Sequence, residues 1–180
     1  MNPRPKSASV MWFTGLSGAG KTTLARQLEV MLRAMGRQVV LLDGDVLRGG
    51  LCSDLGFSAA DRRENLRRAG ELCKILHNSG FTVLAAFVSP THADRAMVRT
   101  IVGKANFLEV YCSAPLDVCE RRDVKGLYAQ ARRGEIAQFT GVSASYEEPL
   151  SPDLVAHTGR DSVAVCAAEA LALLAQRATA

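Results

Sequence analysis

One octapeptide constrains this chain more than any other feature. Gly15-Leu16-Ser17-Gly18-Ala19-Gly20-Lys21-Thr22 fits the pattern G-x-x-x-x-G-K-[ST]. It follows a short apolar run, Val10–Thr14, that has the look of a buried parallel strand. It opens a stretch from Lys21 to about Met35 in which Leu24, Leu28 and Met31 or Leu32 recur at helical spacing, with Gly36 as the stop. A glycine-rich turn between strand and helix lets main-chain N–H groups converge on an anion, and the helix dipole adds to the attraction. A chance lysine in a glycine turn would lack that setting. All eight residues are therefore candidates for holding the phosphates of ATP. Lys21 would bridge the β- and γ-phosphates and Thr22 would hold Mg²⁺.

The rest of the chain keeps the same rhythm. Gln38–Leu42 reads as a second strand. Ser58 opens a helix running to about Ser79, with Asp61 in the place of the usual capping-box glutamate and with Leu66, Ala69, Cys73 and Leu76 on one face. Thr82–Val88, Phe107–Cys112 and a short run near Leu154–His157 read as further strands; Ala93–Val102 and about Ser162 to Arg177 read as helices. Alternating strands and helices predict an α/β chain, a three-layer P-loop NTPase fold whose mostly parallel sheet carries helices on both faces. No repeat or linker divides the sequence, so residues 1–180 are expected to form a single domain. The polar, glycine-containing segment at about 123–152 is long for a connection, which marks it as a lid or acceptor loop.

Composition excludes several classes. The net charge is only +4, and the 17 arginines among 22 basic residues are spread over several segments. That favours anionic small molecules over nucleic acid. The five cysteines form no C-x-x-C pair and suit a reducing compartment, and three scattered histidines give no zinc site. The leading apolar run, Val10 to Phe13, is too short for a signal segment or a membrane span, so a cytoplasmic protein is expected. Asp123-Val124-Lys125-Gly126 fits D-x-x-G but falls after the fourth strand, and no N-K-x-D guanine motif is present, which argues against a switch GTPase.

In an open parallel sheet, ligands sit beyond the carboxyl ends of the strands. Asp43-Gly44-Asp45 and Ser89-Pro90 fall there. Asp45 is the favoured group to take a proton from an acceptor hydroxyl, or to order a Mg²⁺-bound water, with Asp43 in support. The spacing leaves open which of the two takes the proton. Arg48 lies three residues past Asp45, and Arg62 and Asn65 form an i, i+3 pair near the positive end of a helix, placed to clamp a second anion. Arg63, Arg67 and Arg68 point elsewhere and are expected to be solvated, with Glu64 and Arg68 paired.

Several segments together, GLSGAGKT, LDGDVLRGGLCSDLGFSAADRRENLRR, FVSP, VCERRDVKGLYAQARRGEIAQFTGV and YEEP, resemble the adenylylsulfate kinase family over about residues 10 to 160. The resemblance implies transfer of the ATP γ-phosphate to the ribose 3′-hydroxyl of adenylyl sulfate, in sulfate assimilation. It implies that Phe57 and Phe139 hold the acceptor's adenine and that Arg48, Arg62 and Asn65 contact its phosphosulfate. It adds Val88, Ser89, Lys125, Gly126 and Leu127 to the acceptor contacts. It also implies a homodimer; a role beside an ATP sulfurylase as functional partner is a further reading. Ser89 matches a serine described in the family as a phosphoserine intermediate. No His or Lys beside it in sequence would activate it, so a role in ordering the acceptor stands equally. Thr91-His92 and Val124 depart from the family's usual Tyr-Arg and Pro. Two other readings stand: a P-loop kinase for a sugar acid, shikimate or a nucleoside monophosphate, and a nucleotide-binding regulator without activity.

Overall fold

The structure is a computed structural model that describes residues 9–179; the lead of residues 1–8 lies outside the described residues. Its layering follows from alternation in one strand. In β1 (Val10–Thr14) every residue is buried, and successive side chains enter different cores: Met11 and Phe13 one, Val10 and Trp12 the other. A strand buried on both faces belongs at the middle of a sheet covered on both sides. The sheet runs β2 (Val39–Asp43), β3 (Thr82–Ala86), β1, β4 (Phe107–Cys112), β5 (Leu154–Ala156), and every pairing is parallel.

Seven α-helices and a 3-10 turn at Lys104–Asn106 complete the described elements: α1 (Lys21–Ala34), α2 (Gly44–Arg48), α3 (Ala59–Asn78), α4 (His92–Val102), α5 (Leu116–Arg122), α6 (Leu127–Arg132) and α7 (Val163–Thr179). Leu24, Leu28 and Leu32 of α1 share a core with Cys166, Ala170 and Leu174 of α7. On the opposite face Leu66, Ala69 and Cys73 of α3 pack with Val98 and Val102 of α4. Three layers result, the P-loop fold expected from the alternation. Ser58 caps α3 by accepting from the Asp61 N–H at 3.1 Å, while its hydroxyl donates to the Asp61 carboxylate at 2.8 Å.

The differences from expectation are local. β3 stops at Ala86 rather than Val88, because the chain turns there and Ser89 takes a positive φ of 40°. The short helices α2, α5 and α6 span too few residues to show a period in sequence. The segment 123–152 contains α6, held at its start by the Asp123 carboxylate, which accepts from the N–H groups of Tyr128 (3.0 Å) and Ala129 (3.1 Å). Its far end is fastened over α4. The Glu147 N–H donates to the Pro90 carbonyl at 2.8 Å, and buried Arg95 donates to the carbonyls of Ser89 (2.7 Å) and Glu147 (2.6 Å) while pairing with Glu109. No helix among the described residues is long and apolar enough to cross a membrane.

Candidate active site

The carbonyls of the loop between β1 and α1 are each held by a donor. Lys21 Nζ donates to the carbonyls of Gly15 (2.9 Å) and Leu16 (2.6 Å). The Tyr128 hydroxyl donates to Ser17 O (2.9 Å), Arg122 Nη1 to Gly18 O (3.2 Å) and the Thr158 hydroxyl to Ala19 O (2.7 Å), while Leu24 N takes Gly20 O at 2.9 Å. Each carbonyl from 15 to 20 is thus occupied. The N–H groups at the start of α1, which have no intrahelical acceptor, provide the loop's positive face. Gly18 is required where it stands: φ is +74°, and a Cβ there would lie 2.9 Å from the Cys119 carbonyl. Burial pulls the Lys21 ammonium down from 10.5 to about 8, with the neighbouring Cys112, Cys119 and Asp45 opposing. A charge so poorly solvated gains most from an anion set beside it.

Asp43 ends β2 and caps α2, and both of its oxygens are committed. Oδ2 accepts from the Thr22 hydroxyl at 2.6 Å and Oδ1 from the Asp45 N–H at 2.9 Å. Asp45, one residue into α2, is exposed, and its carboxylate pairs with Lys125, which reaches across from the segment before α6. The two aspartates that sequence left undivided therefore differ. Asp43 is tied to Thr22, whereas Asp45 is exposed and paired with Lys125.

Two arginines flank an exposed aromatic ring. Arg48 Cζ lies 4.4 Å and Arg62 Cζ 5.9 Å from the centre of the Phe57 ring. Both guanidiniums hang on backbone oxygens: Arg48 on Gly56 (2.8 Å), Arg62 on Phe57 (2.9 Å) and Gln138 (2.7 Å), with Thr140 Oγ1 at 2.9 Å from Arg62. Neither has a carboxylate partner among the described residues, and Arg62 is pulled below its usual value by burial and by neighbouring Arg48. Two adjacent, uncompensated guanidiniums are a site for an anion. The other arginines of α3 contrast with them. Arg67 and Arg68 share Glu64, Arg63 lies 3.8 Å from Asp94, and Arg68 also grips Asp54 at 2.6 Å, so Arg68 is tied down rather than solvated as expected.

Asn65, on the same helix, is buried, and its side-chain carbonyl has no hydrogen-bond partner among the described residues. A native fold rarely leaves such a group unmatched without a use for it. The predicted aromatic pair is dissimilar. Phe57 is 61% exposed, whereas Phe139 is 9% exposed, with its ring edge-on to Tyr128 at 5.0 Å. Arg62 joins their two segments through Phe57 O and Gln138 O. Gly126 takes a left-handed φ of 66° before α6, and Leu127 begins that helix and packs on the core.

Ser89 is buried, and its hydroxyl is saturated. It accepts from Trp12 Nε1 at 3.0 Å and donates to Thr14 Oγ1 at 2.8 Å. Thr14 Oγ1 donates in turn to the Val88 carbonyl at 2.8 Å and lies 2.8 Å from the Tyr146 hydroxyl.

Sequence reasoning missed Tyr128, Arg122 and Thr158, which hold the phosphate loop from 111, 104 and 139 residues away. No local pattern carries such contacts.

Comparison with known proteins gives a consistent picture. Residues 7–157 match the family described as Adenylylsulphate kinase. The adenylyl-sulfate kinase of Acaryochloris marina is 52% identical over 170 residues, spanning 94% of this chain and 83% of that one. That of Vibrio cholerae is 56% identical over 169 residues, spanning 94% and 79%. Among solved structures, the Mycobacterium tuberculosis APS kinase in complex with AMPPNP and APS is similar at a TM-score of 0.90 and 46% identity, covering 94% of this chain and 98% of that one.

Proposed function

The chain belongs to the adenylylsulphate kinase family, and from that membership we infer that it is an adenylylsulfate kinase, transferring the ATP γ-phosphoryl group to the ribose 3′-hydroxyl of adenylyl sulfate. The observation that carries the acceptor assignment is the uncompensated Arg48–Arg62 pair over Phe57, together with the exposed carboxylate of Asp45, which Lys125 reaches from the segment before α6.

The loop N–H groups and Lys21 bind the triphosphate. Thr22 and Asp43 suit Mg²⁺, a hard cation that takes one or two carboxylates together with phosphate oxygens, because their oxygens already meet at 2.6 Å. The ion would supply neutralisation of charge on the transferring phosphate. Asp45, directly or through an ordered water, takes the proton of the 3′-hydroxyl. Lys125 beside it, with Gly126 and Leu127, covers the acceptor. Arg48, Arg62 and the Asn65 amide hold the phosphosulfate. Phe57 and Phe139 flank the adenine, and Val88 and Ser89 form the floor. Ser89 serves as structure in this scheme, since its only proton is committed to Thr14.

All 180 residues act as one domain in this reading. The five cysteines are buried free thiols, which supports a cytoplasmic setting. A homodimer and an ATP sulfurylase supplying the acceptor complete the proposal. The test is incubation with Mg·ATP and a panel of adenylyl sulfate, AMP, gluconate and shikimate, with products read by mass spectrometry. Adenylyl sulfate should dominate. Preference for another member overturns the acceptor assignment, and no transfer to any of them overturns the kinase.

A further inference from the structure

We propose that Tyr128 is a positioning residue that couples acceptor occupancy to the phosphate loop. The inference rests on the reading that Phe139 flanks the acceptor's adenine.

Tyr128 is the second residue of α6, immediately after the acceptor-side run Lys125-Gly126-Leu127. Its N–H is anchored on Asp123, its ring is buried, and it meets Phe139 edge-on at 5.0 Å with the planes at 82°. At its other end the hydroxyl donates to Ser17 O at 2.9 Å. Of the remaining outside partners of the loop carbonyls, Arg122 closes α5 and also donates to Thr158 O, and Thr158 follows β5. Tyr128 thus touches both Phe139 and the phosphate loop.

What it holds matters because the peptide unit is planar and trans. Ser17 C=O and Gly18 N–H belong to one plane and point in opposite directions. A phenol that fixes the carbonyl outward therefore aims the Gly18 N–H inward, toward the phosphates. Gly18 has φ of +74°, a conformation in which glycine leaves the adjoining peptide unit free to turn. The Tyr128 bond removes that freedom. An adenine settling against Phe139 presses on Tyr128 and secures the bond; an ordered loop in turn secures the face the adenine meets. Such coupling is reciprocal by necessity.

The test measures binding of AMPPNP with Mg²⁺ to the full chain by calorimetry, with and without saturating adenylyl sulfate. Wild-type protein and Tyr128→Phe are compared; the variant keeps the ring and loses only the hydroxyl. In wild type the acceptor should tighten AMPPNP by about tenfold. In Tyr128→Phe the factor should fall below about twofold, although the acceptor still binds. A ring with a merely structural role would shift both affinities together and leave the factor unchanged, and that result overturns the proposal. So does a wild-type factor of one. Failure of adenylyl sulfate to bind wild type, with or without AMPPNP, overturns the acceptor reading and this inference together, so the two failures are distinguishable. A second readout is the Gly18 amide resonance: it should move on acceptor addition in wild type and stay fixed in Tyr128→Phe. Equal movement in both contradicts the coupling.

Discussion

Ser89→Ala separates two accounts of phosphoryl transfer. The Ser89 hydroxyl accepts from the Trp12 indole at 3.0 Å and donates to Thr14 at 2.8 Å, at a residue only 2% exposed. Replacement leaves the buried indole N–H without its acceptor, a loss of about 1–3 kcal/mol. For a chain of this length, 2 kcal/mol lowers Tm by about 4–8 °C. Turnover should suffer far less, because the hydroxyl's proton is committed elsewhere and transfer between two bound nucleotides needs no covalent stop. A fall in kcat of less than about fivefold is expected. Asp45→Asn removes the proton acceptor and should cost about 10²–10⁴ in kcat. The assay is steady-state release of ADP in the presence of adenylyl sulfate, below the lowered Tm, alongside calorimetry for ATP. A Ser89→Ala protein that melts cooperatively and binds ATP normally yet does not turn over would refute the reasoning.

Arg48→Ala removes one of the two guanidiniums over Phe57, so a charge-assisted contact of about 1.5–3 kcal/mol is lost; KM for adenylyl sulfate should rise about 10- to 150-fold while KM for ATP stays within about twofold. Gly18→Ala drives a Cβ to 2.9 Å from the Cys119 carbonyl at φ of +74°, and ATP affinity measured by calorimetry should drop by more than about tenfold. The hydrogen bonds of Arg67 and Arg68 hold the Glu64 carboxyl down from 4.5 to about 2. Its stabilising contribution is complete above pH 4.5 and is lost as pH falls toward 2. Glu64→Gln should flatten the acid limb of the stability curve between those values, followed by urea titration at successive pH.

The layers were legible because a single periodicity fixes each of them. Val10–Phe13 is an unbroken apolar run, as in a strand buried on both faces, and Leu24, Leu28 and Leu32 repeat at helical spacing, so both patterns survive without knowledge of their partners. The phosphate loop was legible for a similar reason: its backbone conformation is written in adjacent glycines. What stayed hidden depends on distant pairing. Phe57 and Phe139 are the same residue type, yet one is exposed and the other nearly buried, because Tyr128 covers only the second. Arg62 and Arg68 lie on one helix, but Asp54, 14 residues before Arg68, neutralises that one alone. The carboxylates Asp43 and Asp45 could be told apart only once Thr22 was placed beside the first.

The central claim is that a nucleotide held by the loop meets a ribose alcohol beside Asp45. The measurement that tests it most directly is phosphorus–proton correlation NMR of the product formed from Mg·ATP and adenylyl sulfate. The account predicts one product, with the new phosphate coupled to the ribose 3′ proton. A phosphate on the 2′ position, or on the phosphosulfate end of the molecule, would contradict it.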